Sequence, residues 1–132
     1  MKDLRMRAWH RKYRKMYDVV GVMNIGDSAA RVYTPDSNYP MTEVDMLHCI
    51  GQTDTKNERI YEGQILEFIL REDGREPAAT RGWVVFDKGC FRLIYGRVIN
   101  ANKIEPTEVP NPNWKEMRIV ANIYEPNLDL KR

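Results

Sequence analysis

Two runs rich in β-branched and aromatic residues, Trp83-Val84-Val85-Phe86 and Cys90-Phe91-Arg92-Leu93-Ile94-Tyr95, flank the short connection Asp87-Lys88-Gly89. Such runs suit a pleated, half-buried surface, and a short connection with Asp and Gly reverses the chain between them. The segment therefore predicts a β-hairpin and sets the pattern for the whole chain. The uninterrupted apolar stretches are strand-sized, so none is long enough to cross a bilayer as a helix.

Short β segments separated by turn chemistry continue in both directions. Leu4, Met6 and Ala8 alternate with Arg5, Arg7 and Trp9, the period of a strand. His10 to Arg14 is polar and turns the chain, and Met16 to Val22 reads as a second strand. Trp9, Tyr13, Met16 and Tyr17 also fit helical spacing, which leaves a basic amphipathic helix as the rival. The alternation from Leu4 and the lack of an N-cap favour a hairpin. Gly26-Asp27-Ser28 marks a turn, Ala30 to Thr34 a short strand, and Pro35 to Pro40 a loop. Val44 to Ile50 is a strand with apolar residues on both faces. The polar loop Gly51 to Glu58 follows it, and then Ile60 to Leu70, in which Gly63 supplies freedom for a sharp turn. Arg71 to Arg81 reads as a charged loop, and Val98 to Ile104 as a further strand. Pro106, Pro110 and Pro112 make Glu105 to Trp114 an extended loop. Met117 to Tyr124 is a last strand, and Leu128 to Arg132 is a helical turn.

A chain of 132 residues fits one domain, residues 1–132, and builds a core without covalent staples. The expected fold is mostly β. It is a small SH3-like barrel, with its core at about residues 44–124, an N-terminal β-hairpin extension and a short C-terminal helical turn. Cys49 and Cys90 make no disulfide framework and read as two buried free thiols, with a single bridge as the alternative. The N-terminus has no apolar h-region, so no secretory signal is expected and a reducing cytoplasm is.

Charge is unevenly spread. Residues 1–17 carry seven basic side chains and one acid, a net +6, against +2 for the chain and hence −4 for the remainder. Arg5, Arg7, Arg11, Lys12, Arg14 and Lys15 lie among Trp9 and Tyr13. Cations neutralise phosphates and aromatic rings stack on unpaired bases, so this head is a candidate nucleic-acid surface. It is equally a candidate for docking on an acidic protein surface. The plainer expectation is a core aromatic set with solvated arginines. No P-loop, G-x-G-x-x-G, H-E-x-x-H, G-x-S-x-G or C-x-x-C occurs. No catalytic residue, metal or cofactor is therefore expected.

Three blocks resemble the YopX family of phage and prophage proteins. Arg5-Met6-Arg7-Ala8-Trp9 with Lys15-Met16-Tyr17 is similar to the family's F-R-A-W-D and K-M. Ile50-Gly51-Gln52-Thr53-Asp54-Thr55-Lys56-Asn57 with Ile60-Tyr61-Glu62-Gly63-Gln64-Ile65 resembles T-G-L-x-D-x-N-G…I-Y-E-G-D-I. Val120-Ala121-Asn122-Ile123-Tyr124-Glu125 resembles I-G-N-I-Y-E. The blocks come in the family's order. His10 and Gln64 stand where the family usually has Asp, Glu58-Arg59 replace a usual Gly, and Ala121 replaces another. The resemblance implies a phage origin, a bacterial cytoplasmic setting, an SH3-like core and a homo-oligomer, but no activity. The motif residues Trp9, Ile60, Tyr61, Glu62, Gly63, Asn122, Ile123 and Tyr124 are expected to be structural. The leading expectation is a non-enzymatic accessory or regulatory protein that self-associates or meets a host or phage protein, with no membrane role. The alternative is a nucleic-acid-binding module using the basic head.

Overall fold

The computed structural model describes residues 5–24, 30–72 and 74–125. The protein is mostly β. Its strands are β1 (Met6–His10), β2 (Lys15–Asp18), β3 (Gly21–Met23), β4 (Arg31–Tyr33), β5 (Asn38–Pro40), β6 (Val44–Thr53), β7 (Arg59–Tyr61), β8 (Gln64–Leu70), β9 (Ala78–Asp87), β10 (Cys90–Asn100), β11 (Lys103–Glu108) and β12 (Arg118–Asn122). Short 3₁₀ turns at Met41–Glu43 and Trp114–Glu116 precede β6 and β12. Among the described residues no helix is long and apolar enough to cross a membrane. Two compact units divide the chain, Met1–Cys49 and Ile50–Arg132.

In the first unit β1 and β2 form the expected hairpin, with Ala8 opposite Tyr17 and His10 opposite Lys15. The helical alternative is not adopted. β1 also pairs with β6, placing Ala8 opposite Met46, so the hairpin's first strand is an interior one. That explains why Ala8, Trp9 and His10 are all buried in succession, where simple alternation would expose one of them. The predicted strand from Met16 to Val22 is divided, because the chain leaves β2 at Asp18 and enters a second antiparallel sheet, β3-β4-β5, at Gly21. Pro35 to Pro40 is not all loop. The Ser37 carbonyl accepts the Thr34 N–H at 2.8 Å, and this tight reversal brings Asn38–Pro40 back along β4. Ala8, Val32 and Val44 form the core of this unit, with Val19, Tyr39, Met41 and Met46 packed around them.

The second unit holds a five-stranded antiparallel sheet in the order β11-β10-β9-β8-β12. The predicted hairpin is present, with Leu93 opposite Val84 and Cys90 opposite Asp87. Lys88 (φ 51) and Gly89 (φ 80) make its two-residue turn, both in the left-handed region that matches strand twist. The segment Val98 to Ile104 is not one strand but a second reversal. β10 runs on to Asn100, and Val98 faces Ile104 across the hairpin. Pro106 lies within β11, which tolerates it because β11 is an edge strand. The core comprises Ile60, Leu66, Phe68, Val84, Leu93, Tyr95 and Met117. Gly82 is required here: a Cβ would sit 2.6 Å from the Ile94 carbonyl oxygen and 3.2 Å from the Phe68 ring.

Both cysteines are free thiols, but the expectation of burial fails for Cys90, which is exposed beside the β9–β10 turn, and Cys49 is half-buried. Leu4, the Gly26-Asp27-Ser28 turn and the Leu128–Arg132 helical turn lie outside the described residues.

Candidate functional site

Two of the motif blocks meet in the second unit. Ile60 and Tyr61 are buried, and Glu62-Gly63 carries the chain from β7 into β8 with Gly63 at φ 85. The Gly63 N–H donates to the Val84 carbonyl at 2.8 Å, and the Gly63 carbonyl accepts the Ile123 N–H at 2.7 Å. A side chain on Gly63 would press on Ile123 and Tyr124, with carbons 3.5 and 3.6 Å away. Asn122 closes the other side. Its Oδ1 accepts the N–H groups of Tyr124 (2.9 Å) and Glu125 (2.8 Å), which makes an Asx turn directly after β12. Trp9, in the first unit, is buried. Gly63 and Asn122 thus hold backbone, and Trp9, Ile60 and Tyr61 are buried.

Between β6 and β7 sits a carboxylate that the sequence reading left inside a polar loop. Asp54 is 1% exposed. Its Oδ1 accepts the N–H groups of Lys56 and Glu58, each at 2.9 Å, and its Oδ2 accepts that of Ile119 at 3.1 Å. Three backbone donors satisfy the buried charge. The same loop is closed by the Glu58 carbonyl accepting the Asp54 N–H at 2.9 Å, with Asn57 at φ 63. Glu67 is engaged by Arg118 at 3.1 Å and Arg81 at 3.6 Å. A groove of about 470 Å³ opens beside β8, lined by Phe68, Leu70, Arg71, Pro110, Asn111 and Met117 among others. Among the described residues no three His, Cys, Asp or Glu side chains gather to hold a metal ion.

The basic head forms the tip of the β1–β2 hairpin. Arg11, Lys12, Tyr13, Arg14 and Lys15 are exposed, as is Arg5, while Arg7 is half-buried. Arg14 adopts φ 53, and its N–H closes the turn on the His10 carbonyl at 2.8 Å. Arg11 is committed: its Nη1 donates to Asp45 Oδ1 at 2.7 Å and its Nη2 to the Thr42 carbonyl. Arg7 lies 3.4 Å from Asp18. The Arg14 guanidinium stands 5.9 Å over the Trp9 ring, and the Lys15 ammonium 5.5 Å over Tyr17. Beneath the turn lies His10, 0% exposed, with Nε2 2.9 Å from Glu43 Oε1 and Nδ1 accepting the Tyr13 N–H at 3.2 Å. These bonds fit a ring protonated on Nε2 and bare on Nδ1. Tyr13 stacks on His10, centroids 4.2 Å apart, and Tyr39 meets His10 edge-on at 4.8 Å. Tyr17 packs on Tyr39 at 5.1 Å, and a hydrogen bond between their side chains, with burial second, pushes the Tyr17 phenol up to about 12.

The family profile described as YopX protein matches residues 5–129. The chain belongs to the YopX family. The crystal structure of protein EF1440 from Enterococcus faecalis is similar in fold to this YopX chain, with a TM-score of 0.57 and 13% identity over 100% of both chains. No curated protein matches the sequence. The two YopX departures at Asp positions now have a physical reading. His10 Nδ1 accepts the N–H three residues ahead, and Gln64 Oε1 accepts the Tyr61 N–H at 2.8 Å. A carboxylate would supply the same acceptor, so at both places the replacement keeps the turn. Sequence reasoning missed His10, Tyr39 and Asp54 as organising residues. Only Asp54 carried a signal, an Asp-x-x-Asn turn in a block that resembles the family.

Proposed function

We propose that this YopX-family chain is a phage- or prophage-derived accessory or regulatory protein without catalytic activity, which works through protein–protein contacts in the bacterial cytoplasm and self-associates. The observation that carries this reading is the free end of the β10–β11 hairpin. Val98 and Ile104 face each other there and are 64% and 67% exposed, on the edge of the five-stranded sheet. An aliphatic pair made by Ile104 of the edge strand β11 and Val98 of its neighbour β10 is a surface suited to strand addition by another chain. An antiparallel register centred on Ile104 sets Ile104 against its counterpart and Lys103 of each copy against Glu105 of the other. Apolar contact and opposite charge then agree in one register. The motif residues Ile60, Gly63 and Asn122 support a non-enzymatic reading, since they are engaged in core contacts or backbone bonds.

The second unit is read further as an SH3-like barrel. Support comes from the strand order β12-β8-β9-β10-β11 with a 3₁₀ turn immediately before the returning strand. The test of the function is light scattering coupled to size-exclusion chromatography. The native chain elutes as an oligomer and Ile104→Lys, at a solvent-exposed position, as a monomer. A native chain that stays monomeric at high concentration removes the reading.

A further inference from the structure

A second surface, independent of the β11 edge, points to a different kind of ligand. Tyr13 is 58% exposed, yet its ring is seated, lying 18° from parallel on His10. His10 is itself fully buried and fixed from both ring nitrogens, by Glu43 and by the Tyr13 N–H. An aromatic held this way is preorganised, so little side-chain freedom is lost when something stacks on it.

The charge around it is not balanced. Asp18 is paired with Arg7 and Asp45 with Arg11, while Glu43 accepts a hydrogen bond from the neutral His10 ring, so the cations outnumber the acids here by two. Lys12, Arg14 and Lys15 are exposed, and none of them pairs with a carboxylate among the described residues. Lys12 and Arg14 share the four-residue turn with this seated, exposed ring, and Lys15 opens β2 directly after it, with Arg14 standing over Trp9 and Lys15 over Tyr17. Phosphates at single-strand spacing with an unpaired base between them match that pattern. A duplex hides its base faces, and an acidic peptide has no need of the ring.

We propose that the Arg11–Lys15 turn binds single-stranded nucleic acid, with a base stacked on Tyr13 and the backbone phosphates met by Lys12, Arg14 and Lys15. The test is fluorescence anisotropy with labelled oligothymidylate and oligouridylate, which separate DNA from RNA. A hairpin duplex, polyglutamate and phosphatidylglycerol vesicles serve as competitors. The expected result is binding of a single strand that outcompetes all three, with a log–log salt slope of roughly −2 from three phosphate contacts. Tyr13→Phe keeps the affinity, and Tyr13→Ala lowers it roughly tenfold or more. Lys12→Glu, at an exposed site that the fold does not use, weakens binding and flattens the salt slope even if Tyr13→Ala unfolds. The proposal is overturned if the native chain binds no single strand, if duplex, polyglutamate or vesicles compete as well as the single strand, or if a folded Tyr13→Ala or Lys12→Glu protein binds like the native one.

Discussion

Asp54 Oδ2 accepts the backbone N–H of Ile119 at 3.1 Å, a bond that spans 65 residues of sequence. The other oxygen holds the N–H groups of Lys56 and Glu58, so a single side chain fixes both a tight loop and the entry of β12. Hydrogen bonds to a charged acceptor contribute more than neutral ones, and a buried N–H left without a partner costs its full desolvation. Asp54→Ala should lower unfolding free energy by about 3 kcal/mol or more, measured by urea denaturation. Asp54→Asn should lose less, about 2 kcal/mol, because its amide keeps one acceptor.

Gly82→Ala is expected to destabilise by about 1–3 kcal/mol, since the new methyl meets the Ile94 carbonyl oxygen at 2.6 Å and neither backbone can retreat within the sheet. Gly21→Ala is the control. Nothing lies within 4 Å of its Cβ position, and its midpoint should stay near the native value in the same thermal melts.

Asn122 tests whether the last motif block is structural. Its Oδ1 accepts two N–H groups. Asn122→Asp retains the acceptor but gives up the Nδ2–H donated to Glu125 Oε1 at 3.3 Å, so it should lose part of the stability, and less than the alanine variant. Asn122→Ala should cost about 1–2 kcal/mol, read by denaturant midpoint. Equal stability of the two variants would refute the role assigned to the Asx turn.

The Tyr17 phenol, at about 12 instead of 10.0, favours its neutral form in the fold. A raised pKa contributes stability that is complete below pH 10.0 and disappears as pH climbs through about 12. Titration of phenolate absorbance should show a late step from Tyr17 at about 12, besides the delayed ionisation of Tyr95, which burial and its hydrogen bond to Glu72 also push up. Tyr39→Phe removes the hydrogen bond that is the main cause, and the late step should move back towards the ordinary tyrosine range. An unchanged late step would assign it elsewhere.

The strands that the sequence reveals are those whose local pattern and tertiary role agree. Trp83 to Tyr95 combines β-rich runs with a two-residue turn, and it folds as read. Val98 to Ile104 misleads because its turn, Ala101-Asn102, lacks the glycine that usually marks a reversal. Pro106 argues for a loop unless one knows that its strand lies at an edge. Burial of His10 and Asp54 is invisible locally, because their partners Glu43 and Ile119 lie 33 and 65 residues away. The motif blocks are readable as a set, whereas the backbone bonds made by Gly63 and Asn122 are not announced by any spacing.

The pairing of β8 with β12 also has a bearing on how the chain is made. β9 reaches one side of β8 from the next segment synthesised, whereas Arg118 and its neighbours, 51 residues beyond Glu67, cover the other. While the ribosome is still producing the intervening residues, the strand containing Ile65, Leu66 and Phe68 leaves the N–H and C=O groups of that edge unpaired. A nascent chain stalled before residue 118 is thus the species most prone to clump, and a fast passage through the proline-bearing stretch from 106 to 112 shortens that exposure.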